Sequence, residues 1–187
     1  MPPLERHPAL VSLSRDHHGA LQLAQGLVPG GPEGLKRRLP ADPAARADHV
    51  RAFFAAELAP HFRAEEEVLF PVLAERSPAL AALCRRLQGD HARLRALVAA
   101  GDDLEGVGAL LEAHVRAEER ELFPQAQDAL PEATLAALGA RLDEDARRPN
   151  RSTRRVRPRR PPVMRSLPPR ARASGIIRHN SLVEVGP

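Results

Sequence analysis

The chain has no tryptophan and no tyrosine, only five phenylalanines and a single cysteine among its 187 residues. One cysteine, Cys84, cannot close an intrachain disulfide, which excludes a disulfide-stapled scaffold and fits a reducing compartment. Aromatic and β-branched side chains are scarce, which argues against strands, whereas abundant Ala and Leu favour helix. Long apolar runs are missing as well: no window approaches the roughly 18 consecutive apolar residues of a membrane span. The first twenty residues hold Glu5, Arg6, His7, Arg15, Asp16, His17 and His18 in place of the apolar stretch of a signal peptide. The expectation is an all-α, cytoplasmic protein with no membrane partner. At 43% apolar residues the chain can build a core.

Lysine is nearly absent, Lys36 being the only one, so the positive charge is arginine. The formal net charge of +4 conceals two unlike parts. Residues 1–146 are acidic, with a net charge of −7, whereas 147–187 carry twelve arginines against Glu184 alone. Pro149, Pro158, Pro161, Pro162, Pro168 and Pro169 interrupt any helix in that second part. High charge with little apolar surface leaves nothing to offset the entropy of ordering, so 147–187 is expected to be a disordered Arg/Pro-rich tail. Such a tail has the chemistry to meet nucleic acid or an acidic partner through its guanidinium groups. It lacks aromatic residues for base stacking, and a plain solvated extension is the other reading.

Helix signals punctuate residues 1–146. One helix is expected from Pro8 to Val28, closed by the Pro29-Gly30-Gly31-Pro32 breaker. Asp42-Pro43 and Ser77-Pro78 each set an N-cap before a proline at the first helical position. They open a second helix, to about Glu75, and a third, to Ala100 before Gly101. Asp102 or Asp103 opens a fourth, ending near Ala129, and Pro131 a shorter fifth to about Ala146. Four long amphipathic helices with short connections predict an up-and-down four-helix bundle, with the fifth packed across one end.

Periodicity selects the inward faces. In the second helix Val50, Phe53, Phe54, Leu58, Phe62, Leu69 and Val72 recur at spacings of three and four, and His61 and Glu65 fall within that stripe. In the fourth, Val107, Leu111, Val115 and Leu122 share a face with His114 and Glu118. Glu66, Glu67 and Glu119 are expected to point away. Glu57, one turn before His61, is either an outer partner of the site or an exposed charge.

These two stretches repeat each other. His61-Phe-Arg-Ala-Glu65-Glu-Glu-Val-Leu-Phe-Pro71 and His114-Val-Arg-Ala-Glu118-Glu-Arg-Glu-Leu-Phe-Pro124 agree at eight of eleven positions, 53 residues apart. Weaker counterparts are Asp16-His17-His18 in the first helix and Asp90-His91 in the third, His91 sharing a face with Leu87, Leu94 and Val98. A bundle would bring histidines from four helices and glutamates from two into one interior layer. Imidazole nitrogen suits iron and zinc, and a carboxylate can bridge two cations. Without a metal, two ionised carboxylates in an apolar core are heavily penalised.

This pattern resembles the hemerythrin-like family, whose HHE-type domains carry H…HxxxE…H…HxxxE on successive helices, over about residues 8–130. The resemblance implies a pair of non-haem irons, with His61, His91 and His114 as terminal ligands and Glu65 and Glu118 as bridges. Zinc is the lesser alternative. The first-helix ligand is His17, by its apolar face, or His18, by its spacing to the following leucine. Oxygen-carrying members typically have a further histidine one turn beyond the third-helix ligand, where this chain has Arg95. They also use an aspartate at longer spacing where this chain has Glu118. The implied function is therefore binding, sensing or reaction of a small ligand (oxygen, nitric oxide or peroxide) or of iron. An oxidoreductase or an iron-cluster repair factor falls within that range. The alternative is an interaction protein whose Arg-rich tail binds an acidic partner or nucleic acid.

Overall fold

The computed structural model describes residues 5–147, so the expected tail lies outside the described residues apart from its first position. Among the described residues every regular element is helical and there is no strand. A 3₁₀ turn, Pro8–Leu10, leads into α1 (Val11–Leu27), and a single helical turn, Glu33–Lys36, that had no signal in the periodicity follows. Helix α2 covers 43–74, α3 is Pro78–Ala100, α4 covers 104–129 and α5 is Glu132–Arg147. No described helix is long and apolar enough to cross a membrane.

The ends are held by the expected caps. The Asp42 carboxylate accepts from the Ala45 N–H at 2.8 Å, the Ser77 hydroxyl from Leu80 at 3.1 Å and the Asp103 carboxylate from Gly106 at 2.7 Å. Each satisfies an amide that the first turn leaves unpaired. Helix α3 stops at Gly101, whose φ of 74° is a left-handed conformation that glycine adopts without steric cost.

Helices α2 and α4 are not uniform. Wide π turns occupy Phe54–Leu58 and Glu65–Leu69 in α2, and Glu118–Leu122 in α4. Each ends two residues before a proline: Pro60, Pro71 and Pro124. Proline has no N–H, and its ring crowds the carbonyl four residues back. The wider turn relieves that crowding, its amide bond running from Phe70 to Glu65 and from Phe123 to Glu118. It also brings Phe70 and Phe123 into the core, five residues after the two glutamates, where a strict 3.6-residue period had not placed them. Phe53 and Phe54, expected in the stripe, are only partly buried against the core, as is Val72.

The buried side chains fall into two apolar clusters. One gathers Leu10, Leu13, Leu69, Leu73, Leu87 and Leu122 with Leu135, Leu138 and Leu142 of α5. The other gathers Leu23, Val50, Leu58, Leu94, Leu111 and Val115. On each long helix a buried histidine sits between a leucine of the first cluster and an apolar residue of the second: His17 between Leu13 and Ala20, His61 between Leu69 and Leu58, His91 between Leu87 and Leu94, His114 between Leu122 and Leu111. A polar layer is thus sandwiched inside the core. Helices α1 and α4 approach closely at Gly108, where a Cβ would lie 2.7 Å from the Ala24 carbonyl oxygen.

Candidate metal centre

Six polar side chains occupy that layer: His17, His61, Glu65, His91, His114 and Glu118, each at most 5% exposed. The Nε2 atoms face inward in pairs, His17 against His61 at 3.1 Å and His91 against His114 at 3.0 Å. The two carboxylates lie between the pairs. One Glu65 oxygen is 3.4 Å from His61 Nε2 and the other 3.4 Å from His91 Nε2. Glu118 does the same on the opposite diagonal, 3.1 Å from His17 Nε2 and 3.1 Å from His114 Nε2. Two four-atom sets result, His17/His61/Glu65/Glu118 and His91/His114/Glu65/Glu118, and the donor atoms of each lie within 4.8 Å of one another. Each set offers two imidazole nitrogens and two carboxylate oxygens, and the sets share both glutamates.

This arrangement is incomplete as protein alone. All four oxygens of Glu65 and Glu118 are buried without a hydrogen bond. A buried polar atom without a partner costs about 1–3 kcal/mol, and more when it carries charge. At His17 and His61 both Nδ1 atoms lie against carboxylates, so in the neutral rings both Nε2 atoms turn lone pairs to each other and neither can donate. Cations between nitrogens and carboxylates resolve both conflicts, so the residues present fit metal ions.

The outward nitrogens support the same orientation. His17 Nδ1 is 2.7 Å from Glu119, His91 Nδ1 is 2.8 Å from Glu66, and His61 Nδ1 is 3.2 Å from Asp16. His114 Nδ1 points toward Asp90 at 3.8 Å, beyond hydrogen-bond range. A carboxylate accepting from Nδ1–H leaves the lone pair on Nε2, the form a metal needs. The partners cross between helices in a regular way. The aspartate preceding each histidine of α1 and α3 faces the histidine of the next helix, within hydrogen-bond range for Asp16 and beyond it for Asp90. The glutamate following each bridging candidate serves a histidine of α1 or α3.

Glu66 and Glu119 therefore do not point away, as helical phase had suggested. The carboxylates reach across to the neighbouring helix, because a glutamate beside the buried stripe is long enough to span the groove. Glu66 also makes a two-pronged pair with Arg95, at 2.9 and 3.1 Å. Glu119 accepts from Ser14 at 2.6 Å and pairs with Arg6. Glu67 is exposed, as expected. His18 is exposed and hydrogen-bonded to Gln22 at 2.8 Å, outside the cluster, whereas His17 is inside it. Asp16 takes the place beside His61 that had been considered for Glu57. The sequence names Asp16 and Asp90 only as neighbours of the histidines and turns Glu66 and Glu119 outward, although the doubled Asp-His and Glu-Glu pairs are a signal for a shared role.

Ring packing fixes the imidazoles further. Phe123 stacks on His17, with centroids 5.5 Å apart and planes 6° apart, and Phe70 on His91 at 5.7 Å and 17°. These are the phenylalanines that the π turns carry inward. Phe62 lies on His91 at 3.8 Å. Burial disfavours the charged form of His17, but the Glu118 and Glu119 carboxylates outweigh it and raise its pKa. His61, opposed by burial and supported first by Glu65, is raised well above its usual value, and Glu118 raises His114 against the same penalty. For Glu65, burial favours the neutral acid, yet His61 and His91 pull the carboxyl well below its usual range. Glu119, resisted by partial burial, is drawn down to about 2, chiefly by His17 and Ser14.

Comparison with protein families matches residues 9–126 to the hemerythrin HHE cation-binding domain. No curated protein and no solved structure matches the chain at a significant level.

Proposed function

From the premise that the chain belongs to the hemerythrin HHE cation-binding domain family, we propose that it is a non-haem di-iron protein acting on a small ligand. In this reading residues 1–146 form one domain, an up-and-down four-helix bundle with α5 packed against it. His17 and His61 would hold one ion and His91 and His114 the other, with the carboxylates of Glu65 and Glu118 available to both. His18 has no part in the set. The observation that carries the proposal is the group of four buried, unpartnered carboxylate oxygens facing four imidazole nitrogens.

When bound, the irons supply a redox-active pair able to take up oxygen, nitric oxide or peroxide. Four protein atoms per ion fall short of a six-coordinate shell, which leaves positions for such a ligand. The chain's own residues do the rest. Asp16, Glu66 and Glu119 hold the imidazoles in the metal-binding tautomer. Phe62, Phe70 and Phe123 limit water around the ions. A cavity of about 10 Å³, the size of one water molecule, adjoins His17, His61 and His114 and is walled by Ala20, Leu58, Phe62, Leu111 and Val115. Its small apolar walls suit a diatomic molecule better than an organic substrate. Arg95 is committed to Glu66 and supplies no ligand, so sensing or redox chemistry is favoured over reversible oxygen carriage.

Metal analysis of the purified protein, with its optical spectrum, tests the proposal. The expected result is two irons per chain with near-ultraviolet and visible charge-transfer bands. A folded protein that contains no iron after aerobic purification and takes up no ferrous iron would overturn it. Zinc at both positions would retain the site and remove the redox role.

A further inference from the structure

The two halves of the site repeat each other, but the way in from solvent does not. On the α1–α2 side a cleft of about 300 Å³ lies between α1, α2 and the end of α5. It and the small inner cavity share three lining residues: Asp16, Glu57 and His61. Glu57 is exposed at this junction and Asp16 is half exposed, whereas His61 turns Nε2 to the buried cluster. Beyond it lies Glu118, whose oxygens have no hydrogen bond.

Among the described residues lining the cleft, Asp145 is paired with Arg63 at 3.3 Å, and Asp16 and Glu57 place two carboxylates at its junction with the inner cavity. In the second half, position 110, the counterpart of Glu57, is a leucine packed against the core. His91 is covered by Phe62, and the Glu66–Arg95 pair lies over its outer edge. The His61 edge of the site is thus faced by carboxylates and open space, whereas His17 and His91 are each covered by a phenylalanine ring and a glutamate–arginine pair.

Resting on the reading of the cluster as a metal site, we propose that divalent cations load through the α1–α2 cleft. Glu57 and Asp16 draw the ion in, and the His17/His61 position is the first to receive it. Carboxylates at the mouth of a cleft with low-dielectric walls raise the local cation concentration and the association rate. The second ion then passes between the two bridging glutamates, which belong to both sets.

Stopped-flow uptake of cobalt(II) by the metal-free full-length protein, followed by visible absorption, tests this. Glu57→Gln keeps the shape and removes one charge at an exposed position. It is expected to slow uptake by roughly threefold to tenfold at low ionic strength. The difference should collapse above about 0.5 M salt, where screening acts within a few ångströms. The final stoichiometry should stay the same. Ala56→Arg, also on the exposed lining of the cleft, should slow uptake further, while Glu105→Gln at the distant start of α4 should not. Wild-type uptake with unchanged rates in both Glu57→Gln and Ala56→Arg would overturn the route alone. A wild-type protein that takes up no cation would overturn the metal site and the route with it.

Discussion

The outer carboxylates provide the sharpest test of the geometry, because helical phase and structure assign them opposite roles. Glu119 accepts from His17 Nδ1 at 2.7 Å, and Glu66 from His91 Nδ1 at 2.8 Å. Neither donates an atom to the cluster. Removing such a partner typically lowers metal affinity 10–100-fold, or about 1.4–2.8 kcal/mol. The loss follows from a freed imidazole that can rotate or take the wrong tautomer. Glu119→Ala should therefore weaken the His17 position and Glu66→Ala the His91 position, each by that amount. Releasing Arg95 in the second variant adds little, since its side chain is 40% exposed and returns to water. Glu119→Gln keeps an oxygen that can accept from Nδ1–H and should recover affinity to within a few-fold. Glu65→Ala removes one oxygen from each position and should cost both ions, whereas Glu67→Ala, an exposed site, should change nothing. The assay is equilibrium competition for ferrous iron against a chelator under anaerobic conditions, resolving the first and second ion. If Glu119→Ala and Glu66→Ala hold metal as tightly as Glu67→Ala, the crossed hydrogen bonds have no bearing on the site.

Other consequences follow from single residues. His17→Ala should lower iron content sharply and His18→Ala should leave it unchanged; elemental analysis showing the reverse would reassign the α1 ligand. Leu122→Ala, which empties a fully buried position beside Glu118, should cost about 2–5 kcal/mol in denaturant unfolding. Gly108→Val drives a side chain toward the Ala24 carbonyl, 2.7 Å from the Cβ position, and should lower stability by about 1–3 kcal/mol; an unchanged midpoint would mean that α1 and α4 are less tightly apposed. Chelation should be most destabilising at high pH. In the metal-free protein His17, His61 and His114 have raised pKa values. Their protonation therefore adds stability that is fully present below about pH 6.5 and lost as pH rises through the raised values. Metal ions compete with those protons, so the drop in thermal midpoint on chelation should be larger at pH 8 than at pH 5.

Most of the helix boundaries were legible because the signals are local. Asp42-Pro43, Ser77-Pro78 and Gly101 each act on amides or carbonyls within one turn, and the structure uses all three. The π turns were not read because periodicity arguments assume 3.6 residues per turn throughout. Pro60, Pro71 and Pro124, inside otherwise helical runs, were the clue. A proline in a helix interior must be accommodated, and here a widened turn does so two residues earlier. That accommodation moves Phe70 and Phe123 onto the imidazoles, so the Leu-Phe-Pro ending of each repeat is part of the site.

The inner six residues were legible for a different reason: a histidine or glutamate within an apolar stripe contradicts its surroundings and calls for a partner. The outer partners show no such contradiction. Asp16, Asp90, Glu66 and Glu119 lie at the edges of their stripes, where a solvated carboxylate is ordinary, and their roles exist only between helices. What exposes them is symmetry. Asp16 serves His61 as Asp90 faces His114, and Glu66 serves His91 as Glu119 serves His17. Once the inner repeat relates two helix pairs, every flanking residue has a counterpart that can be checked. Breaks in the pattern then become the informative positions. Glu57 against Leu110 opens one half to cations, and Phe62 against Val115 covers one imidazole of the other. The 3.2 Å hydrogen bond at His61 against the 3.8 Å gap at His114 leaves one metal position better braced than the other. Two ions held by near-identical ligands would thus differ in access and in the basicity of their imidazoles, and that inequality allows one ion to meet a ligand while the other supports it.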